Sequence, residues 1–227
     1  LGGEDYRLER YFARYFIEHG RATLIVHREK EHLIADEQEI DLMFKQSVLD
    51  ARAVLDWIEV RPEFANDRIG VLGISMGGIT AALLTAIDPR IRAAALGLVG
   101  GDIPYILRHT KDGSLRGGGI TKRRQEYLQR KGITPSEFEQ RLRSGIVWDP
   151  FLFAPHIDPE KVLLILAVCD RVVPFKKGLE LRRAMGRPET KILMSGHYTA
   201  MAYLPHLRRS VFRFFEKKLS EIGNIQQ

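Results

Sequence analysis

Residues 69–84 read Ile-Gly-Val-Leu-Gly-Ile-Ser-Met-Gly-Gly-Ile-Thr-Ala-Ala-Leu-Leu. An apolar run leads into Gly73, and a small-residue helical pattern starts at Gly78. The stretch therefore predicts a strand, a sharp turn and a helix, with Ser75 at the apex. A nucleophilic serine must stand clear of its own backbone, and the glycines of Gly73-Ile74-Ser75-Met76-Gly77 allow the tight turn that lifts its hydroxyl above a sheet edge. The bland reading of the same five residues is an ordinary glycine turn. What separates the two readings lies further along the chain.

A lone serine is a poor nucleophile at neutral pH, so acyl transfer requires a histidine to take its proton and a carboxylate to orient that histidine. The apolar run from Lys161 to Val168 suits a strand buried on both faces, and Cys169-Asp170-Arg171-Val172-Val173-Pro174 follows it. Asp170 thus falls just past a strand end. A second short strand, Thr190 to Met194, leads into Ser195-Gly196-His197-Tyr198. In a parallel sheet the strand ends share one edge, so Ser75, Asp170 and His197 can converge there. Each has a plain alternative as a turn residue or a packed histidine, but together they predict a Ser-His-Asp triad. The other histidines considered, His27, His32, His109, His156 and His206, read as solvated or structural. Their spacings match no compact zinc pattern, and no metal or organic cofactor is called for.

The chain resembles the α/β-hydrolase superfamily in three motifs: Gly-Ile-Ser-Met-Gly-Gly as nucleophile elbow, Cys-Asp-Arg-Val-Val-Pro as acid loop, and Ser-Gly-His-Tyr before a final amphipathic helix. The order Ser, Asp, His is the order of that superfamily. Within it the chain looks most like the bacterial esterase and dienelactone-hydrolase-like branch, although dienelactone hydrolases typically carry cysteine where Ser75 stands, which favours ordinary ester hydrolysis. The resemblance implies an oxyanion hole with one donor from the Met76 amide and a second from Gly2 or Gly3, the choice between them being open. It also implies that the central strand before the oxyanion loop would precede Leu1. The expectation is an N-terminally incomplete version of a larger protein, lacking one to three strands, with a protein processed to begin here as the alternative.

The implied activity is that of a serine hydrolase acting on a carboxylic ester or related acyl bond of a small-molecule substrate. The alternatives are a peptidase of the prolyl-oligopeptidase type, an acyltransferase, or a non-catalytic binding protein on the same fold.

Composition fits this reading. The 227 residues are 44% hydrophobic and 28% charged, enough for one sizeable core, and one α/β-hydrolase domain over 1–227 is expected. No apolar run approaches the roughly 20 residues of a membrane span. A single cysteine rules out an intrachain disulfide and makes a reducing cytoplasm the default, with a signal peptide on a missing N-terminus left open. The net charge of +6 invites a nucleic-acid reading. However, the basic runs Lys122-Arg123-Arg124 and Arg208-Arg209 read as solvated helix faces, and no RNA- or DNA-binding signature accompanies them. A basic surface can still steer anionic substrates. The oligomeric state is left undetermined.

Helices are expected at about 8–18 and 38–60, and strands at 22–26 and 91–99. Alternating strands and helices imply a mostly parallel sheet covered on both faces. Between about 101 and 159 the alternation stops, which predicts a small helical lid insertion. Thr134 could cap a helix starting at Pro135. Tyr105, Ile106, Leu107, Trp148, Phe151, Leu152 and Phe153 are either an acyl pocket or the packing of the insertion itself.

Overall fold

A computed structural model of the protein describes residues 6–27, 36–111 and 120–223. Its centre is a parallel sheet of β1 (Ile69–Ile74), β2 (Ile91–Gly97), β3 (Val162–Ala167) and β4 (Glu189–Leu193), in that spatial order. Parallel neighbours cannot be joined by a hairpin, so each connection crosses over a face of the sheet. The first crossover is α3 (Met76–Ile87), and the last is α8 (Phe175–Ala184). Between β2 and β3 lie α4 (Ile103–His109), α5 (Ile120–Lys131), α6 (Pro135–Gly145) and the short α7 (Pro150–Phe153).

The period of two along the strands sorts their side chains to opposite faces. Ala94, Leu96, Val162, Leu164 and Leu166 face the core shared with α2 (Glu37–Glu59), α3 and α8. Ala93, Ala95, Leu163, Ile165 and Ala167 face α1 (Arg7–Glu18) and α9 (Leu204–Gly223), where Phe12 and Phe16 pack with Phe214 and Phe215. Strands apolar on both faces are what a sheet covered on both sides requires.

The helices arise where the apolar spacing places them. Ile40, Phe44, Val48 and Leu55 form the buried stripe of α2. Thr134 caps α6 with a complete capping box: its hydroxyl accepts from the Glu137 amide at 3.2 Å, and the Glu137 carboxylate accepts from the Thr134 amide at 2.7 Å.

Two local expectations fail. Residues 22–26 form no strand. They pair with no strand among the described residues, and Leu24 and Val26 remain 46% and 39% exposed. Composition favours extended backbone there, but a strand is completed only by a ladder partner. The basic runs are also not uniformly solvated. Arg124 turns inward, and its Nη1 donates to the Leu107 carbonyl at 2.7 Å, completing the C-terminal end of α4. Burial holds its pKa below the usual guanidinium value.

Candidate active site

Ser75 sits between β1 and α3 with φ 56° and ψ −121°, a conformation that L-residues other than glycine rarely adopt. Hydrogen bonds hold it there. Its amide donates to the Gly97 carbonyl at 2.7 Å, and its carbonyl accepts from the Ile79 amide at 3.1 Å. A methyl group at Gly73 would lie 2.1 Å from the Gly77 carbonyl oxygen, so only glycine fits where the helix doubles back over the strand.

The ends of β3 and β4 bring the other two residues to the same edge. His197 Nε2 lies 3.0 Å from Ser75 Oγ, and His197 Nδ1 lies 2.7 Å from Asp170 Oδ2. Both His197 and Asp170 are buried, whereas Ser75 stays partly open. The second carboxylate oxygen of Asp170 accepts from the amides of Val172 and Val173 at 2.8 and 2.9 Å, which fixes the carboxylate plane against the imidazole. A proton can therefore pass from Oγ to Nε2 while Nδ1–H stays bonded to the carboxylate.

The supports of this constellation were not anticipated from sequence. Thr199 Oγ1 accepts from the Gly196 amide at 2.8 Å and holds the turn before His197. The Cys169 amide donates to the Ser195 carbonyl at 2.9 Å, joining the acid loop to the histidine loop. The signal for Thr199 was the Gly196-His197-Tyr198-Thr199 spacing, in which a hydroxyl three residues on can close a turn. The Lys111 amide donates to the Arg171 carbonyl at 2.7 Å and ties the end of α4 to the same acid loop.

Met76 is the first residue of α3, so its amide N–H has no acceptor within the helix and lies at the positive end of the helix dipole. Gly2 and Gly3, the candidates for a second donor, lie outside the described residues, as does His32. A small apolar crevice of about 30 Å³, lined by Leu72, Ile74, Leu98, Leu193, Met201 and Leu204, lies beside His197. Most of the aromatic candidates between β2 and β3 serve their own packing. Trp148 stacks on Phe153 with centroids 5.4 Å apart, and Tyr105 on His109 at 3.9 Å. Ile106 and Leu107 are buried, while Phe151 and Leu152 remain exposed.

Behind the insertion lies a charged cluster. Lys177 Nζ donates to Asp102 and to Glu180, both at 2.7 Å, and Arg143 also contacts Asp102. Burial pushes the Asp102 carboxyl up, but Lys177 and Arg143 outweigh it and leave it below its usual value. Burial raises Asp149 above the ordinary carboxylate range, although it accepts backbone bonds from Asp102, Ile103 and Phe151. Among the described residues, no group of three or more histidine, cysteine, aspartate or glutamate side chains is placed to hold a metal ion. Nor is any helix long and apolar enough to cross a membrane.

Known structures share this architecture. The acetyl xylan esterase from Paenibacillus sp. R4 superimposes with a TM-score of 0.61 at 20% identity, over 85% of this chain and 60% of that one. The chain has the α/β-hydrolase fold. A shared fold is a statement about architecture and not about substrate. The Pyrococcus horikoshii acylaminoacyl peptidase carries the same fold, with a TM-score of 0.55 at 20% identity over 83% of this chain and 29% of that one. Residues 37–142, a little under half of this α/β-hydrolase-fold chain, match the family model described as X-Pro dipeptidyl-peptidase (S15 family). That stretch includes Ser75 and ends before Asp170 and His197. A 51-residue segment is 37% identical to "Putative hydrolase YtaP" of Bacillus subtilis (strain 168), covering 22% of this chain and 17% of that protein. The chain thus matches less than two thirds of the length of these relatives.

Proposed function

We propose that this protein is a serine hydrolase that cleaves a carboxylic ester or related acyl bond. The observation that carries the reading is the continuous relay of 3.0 Å from Ser75 Oγ to His197 Nε2 and 2.7 Å from His197 Nδ1 to Asp170. Ser75 Oγ attacks the substrate carbonyl carbon as its proton passes to Nε2. The resulting imidazolium is balanced by Asp170, and the Met76 amide, with Gly2 or Gly3, donates to the oxyanion. Collapse of the tetrahedral intermediate breaks the acyl–oxygen bond, and His197 returns the proton to the departing alcohol. Water then gives its proton to His197 and attacks the acyl-serine, releasing the acid and restoring Ser75.

The motifs around Ser75, Asp170 and His197 favour a carboxylesterase of the bacterial esterase and dienelactone-hydrolase-like kind. The helices between β2 and β3 would form its lid, tied to the acid loop through Lys111 and gating entry to one domain's site. The S15 match supports a peptidase as the second reading.

Treatment with a fluorophosphonate probe and mapping of the adduct by mass spectrometry tests the mechanism. Labelling confined to Ser75, and lost in Ser75→Ala, is the expected result. A folded protein that takes no label would remove the hydrolase reading. Comparing p-nitrophenyl esters with Xaa-Pro p-nitroanilides then separates esterase from peptidase.

A further inference from the structure

On the outer side of the molecule, α1 and α9 enclose a cleft of about 540 Å³ lined by Arg7, Arg10, Arg14, Arg208, Tyr11 and Tyr15, with Glu18 as the single acidic side chain in its wall among the described residues. This volume falls within the range of small-molecule sites. The arginines of α1 follow helical spacing, so they stack on one face, where like charges repel. Arg7 and Arg10 also stand in the first turn, at the positive end of the helix dipole, where cations are disfavoured. Helix formation gains nothing from this arrangement, and a break with local rules of this kind marks a candidate functional surface.

Arg208 supplies the second observation. Its guanidinium lies over the rings of both Tyr11 and Tyr15, 5.0 and 4.8 Å from their centroids, and so is held in place facing the cleft. Its Nε is buried and has no hydrogen-bond partner. Among the described residues, Arg10 and Arg14 likewise have no carboxylate within ion-pair distance. The guanidinium group of Arg208 and the uncompensated ones of Arg10 and Arg14 line one concavity.

We propose that this cleft is a binding site for a small molecule bearing several phosphate groups. Guanidinium forks match phosphate oxygens in pairs, and Arg10, Arg14 and Arg208 together suit a multiply charged anion better than a monoanion. From Arg10 to Arg14 the helix rises about 6 Å, enough to engage two linked phosphates in turn, with Arg208 facing them from α9. The site is independent of the assignment of Ser75.

Isothermal titration calorimetry with inorganic tripolyphosphate as the probe tests the proposal. One saturable site is expected, weakened about tenfold or more in the double variant Arg10→Gln/Arg14→Gln and in Arg208→Gln, with fluorophosphonate labelling of Ser75 unchanged. On the unaltered protein, tripolyphosphate should protect Arg10, Arg14 and Arg208 from phenylglyoxal and leave exposed Arg92 reactive. Uniform reactivity with and without the probe would overturn the site, as would binding that the substitutions leave intact. Binding confined to RNA or to vesicles containing anionic lipid, with none to tripolyphosphate, would also overturn it.

Discussion

A methyl group at Gly73 would meet the Gly77 carbonyl at 2.1 Å, whereas one at Gly77 would meet nothing within 4 Å. Gly73→Ala should therefore shift the elbow and abolish fluorophosphonate labelling, while Gly77→Ala should keep it. Equal loss in both would show that the turn depends on backbone freedom at Gly77 and not on the contact at Gly73. Ser75 itself carries strain of about 1–3 kcal/mol in its positive-φ conformation. Ser75→Gly should raise the denaturation midpoint while eliminating activity, and a lower midpoint would refute stored strain there. At Asp170, an asparagine would keep its amide oxygen on the Val172 and Val173 amides and turn its NH2 toward His197 Nδ1. The imidazole would then carry its proton on Nε2, the wrong tautomer, and kcat for ester hydrolysis should fall by about 10⁴ with little change in stability. The convergence of Ser75, Asp170 and His197 on one sheet edge was readable in the sequence because each follows a strand. Thr199 and the Val172 and Val173 amides were not: the Gly196-to-Thr199 spacing signals a turn without saying that it holds His197, and a backbone donor has no residue signature of its own.

At the scale of elements, the turn from α3 to β2 is fastened by one carboxylate. Asp88 accepts from Arg90 Nε at 2.9 Å, Arg90 Nη2 at 2.7 Å, the Arg90 amide at 3.1 Å and Arg52 Nε of α2 at 3.1 Å. The Arg90 side chain is the main cause of a pKa lowered to about 2, opposed by burial. A carboxyl depressed on folding contributes stability that is present in full above its unfolded pKa of about 3.9 and lost as pH falls through the folded value. Asp88 should thus account for about 2 kcal/mol at neutral pH that disappears between about pH 4 and pH 2. Urea melts of the protein and Asp88→Asn should differ at pH 7 and converge near pH 2; a constant difference would exclude this linkage. The boundaries of α2 and β3 followed from apolar spacing to within about a residue, and the start of α6 from the Thr134 cap. Residues 22–26 did not, because strand propensity is local and a ladder partner is not. Arg124 failed for a related reason: its sequence neighbours are solvated, but the Leu107 carbonyl it reaches belongs to another helix.

For the whole molecule, the order of strands and helices was sufficient to assign the fold, since parallel strands, two apolar faces and a shared C-terminal edge leave few arrangements. The arginine cleft was not legible, because it needs Arg208 of α9 to meet Tyr11 and Tyr15 of α1 across nearly the whole chain. Charge is the property that acts at this largest scale. The chain carries a net charge of +6, and Arg171 stands exposed beside Asp170 on the acid loop. An anionic ester should therefore be drawn toward the site edge, and a neutral ester of the same shape should not. Exposed charges are screened over about 10 Å at 0.1 M salt. Raising ionic strength should lower kcat/KM for the anionic ester by up to about tenfold, act through KM at low substrate, and leave the neutral ester unchanged. Arg171→Gln should flatten that salt dependence without lowering kcat for the neutral ester. If both esters respond alike to salt, the field of the protein plays no part in selecting its substrates, and selectivity must come from direct contacts around Ser75 and His197.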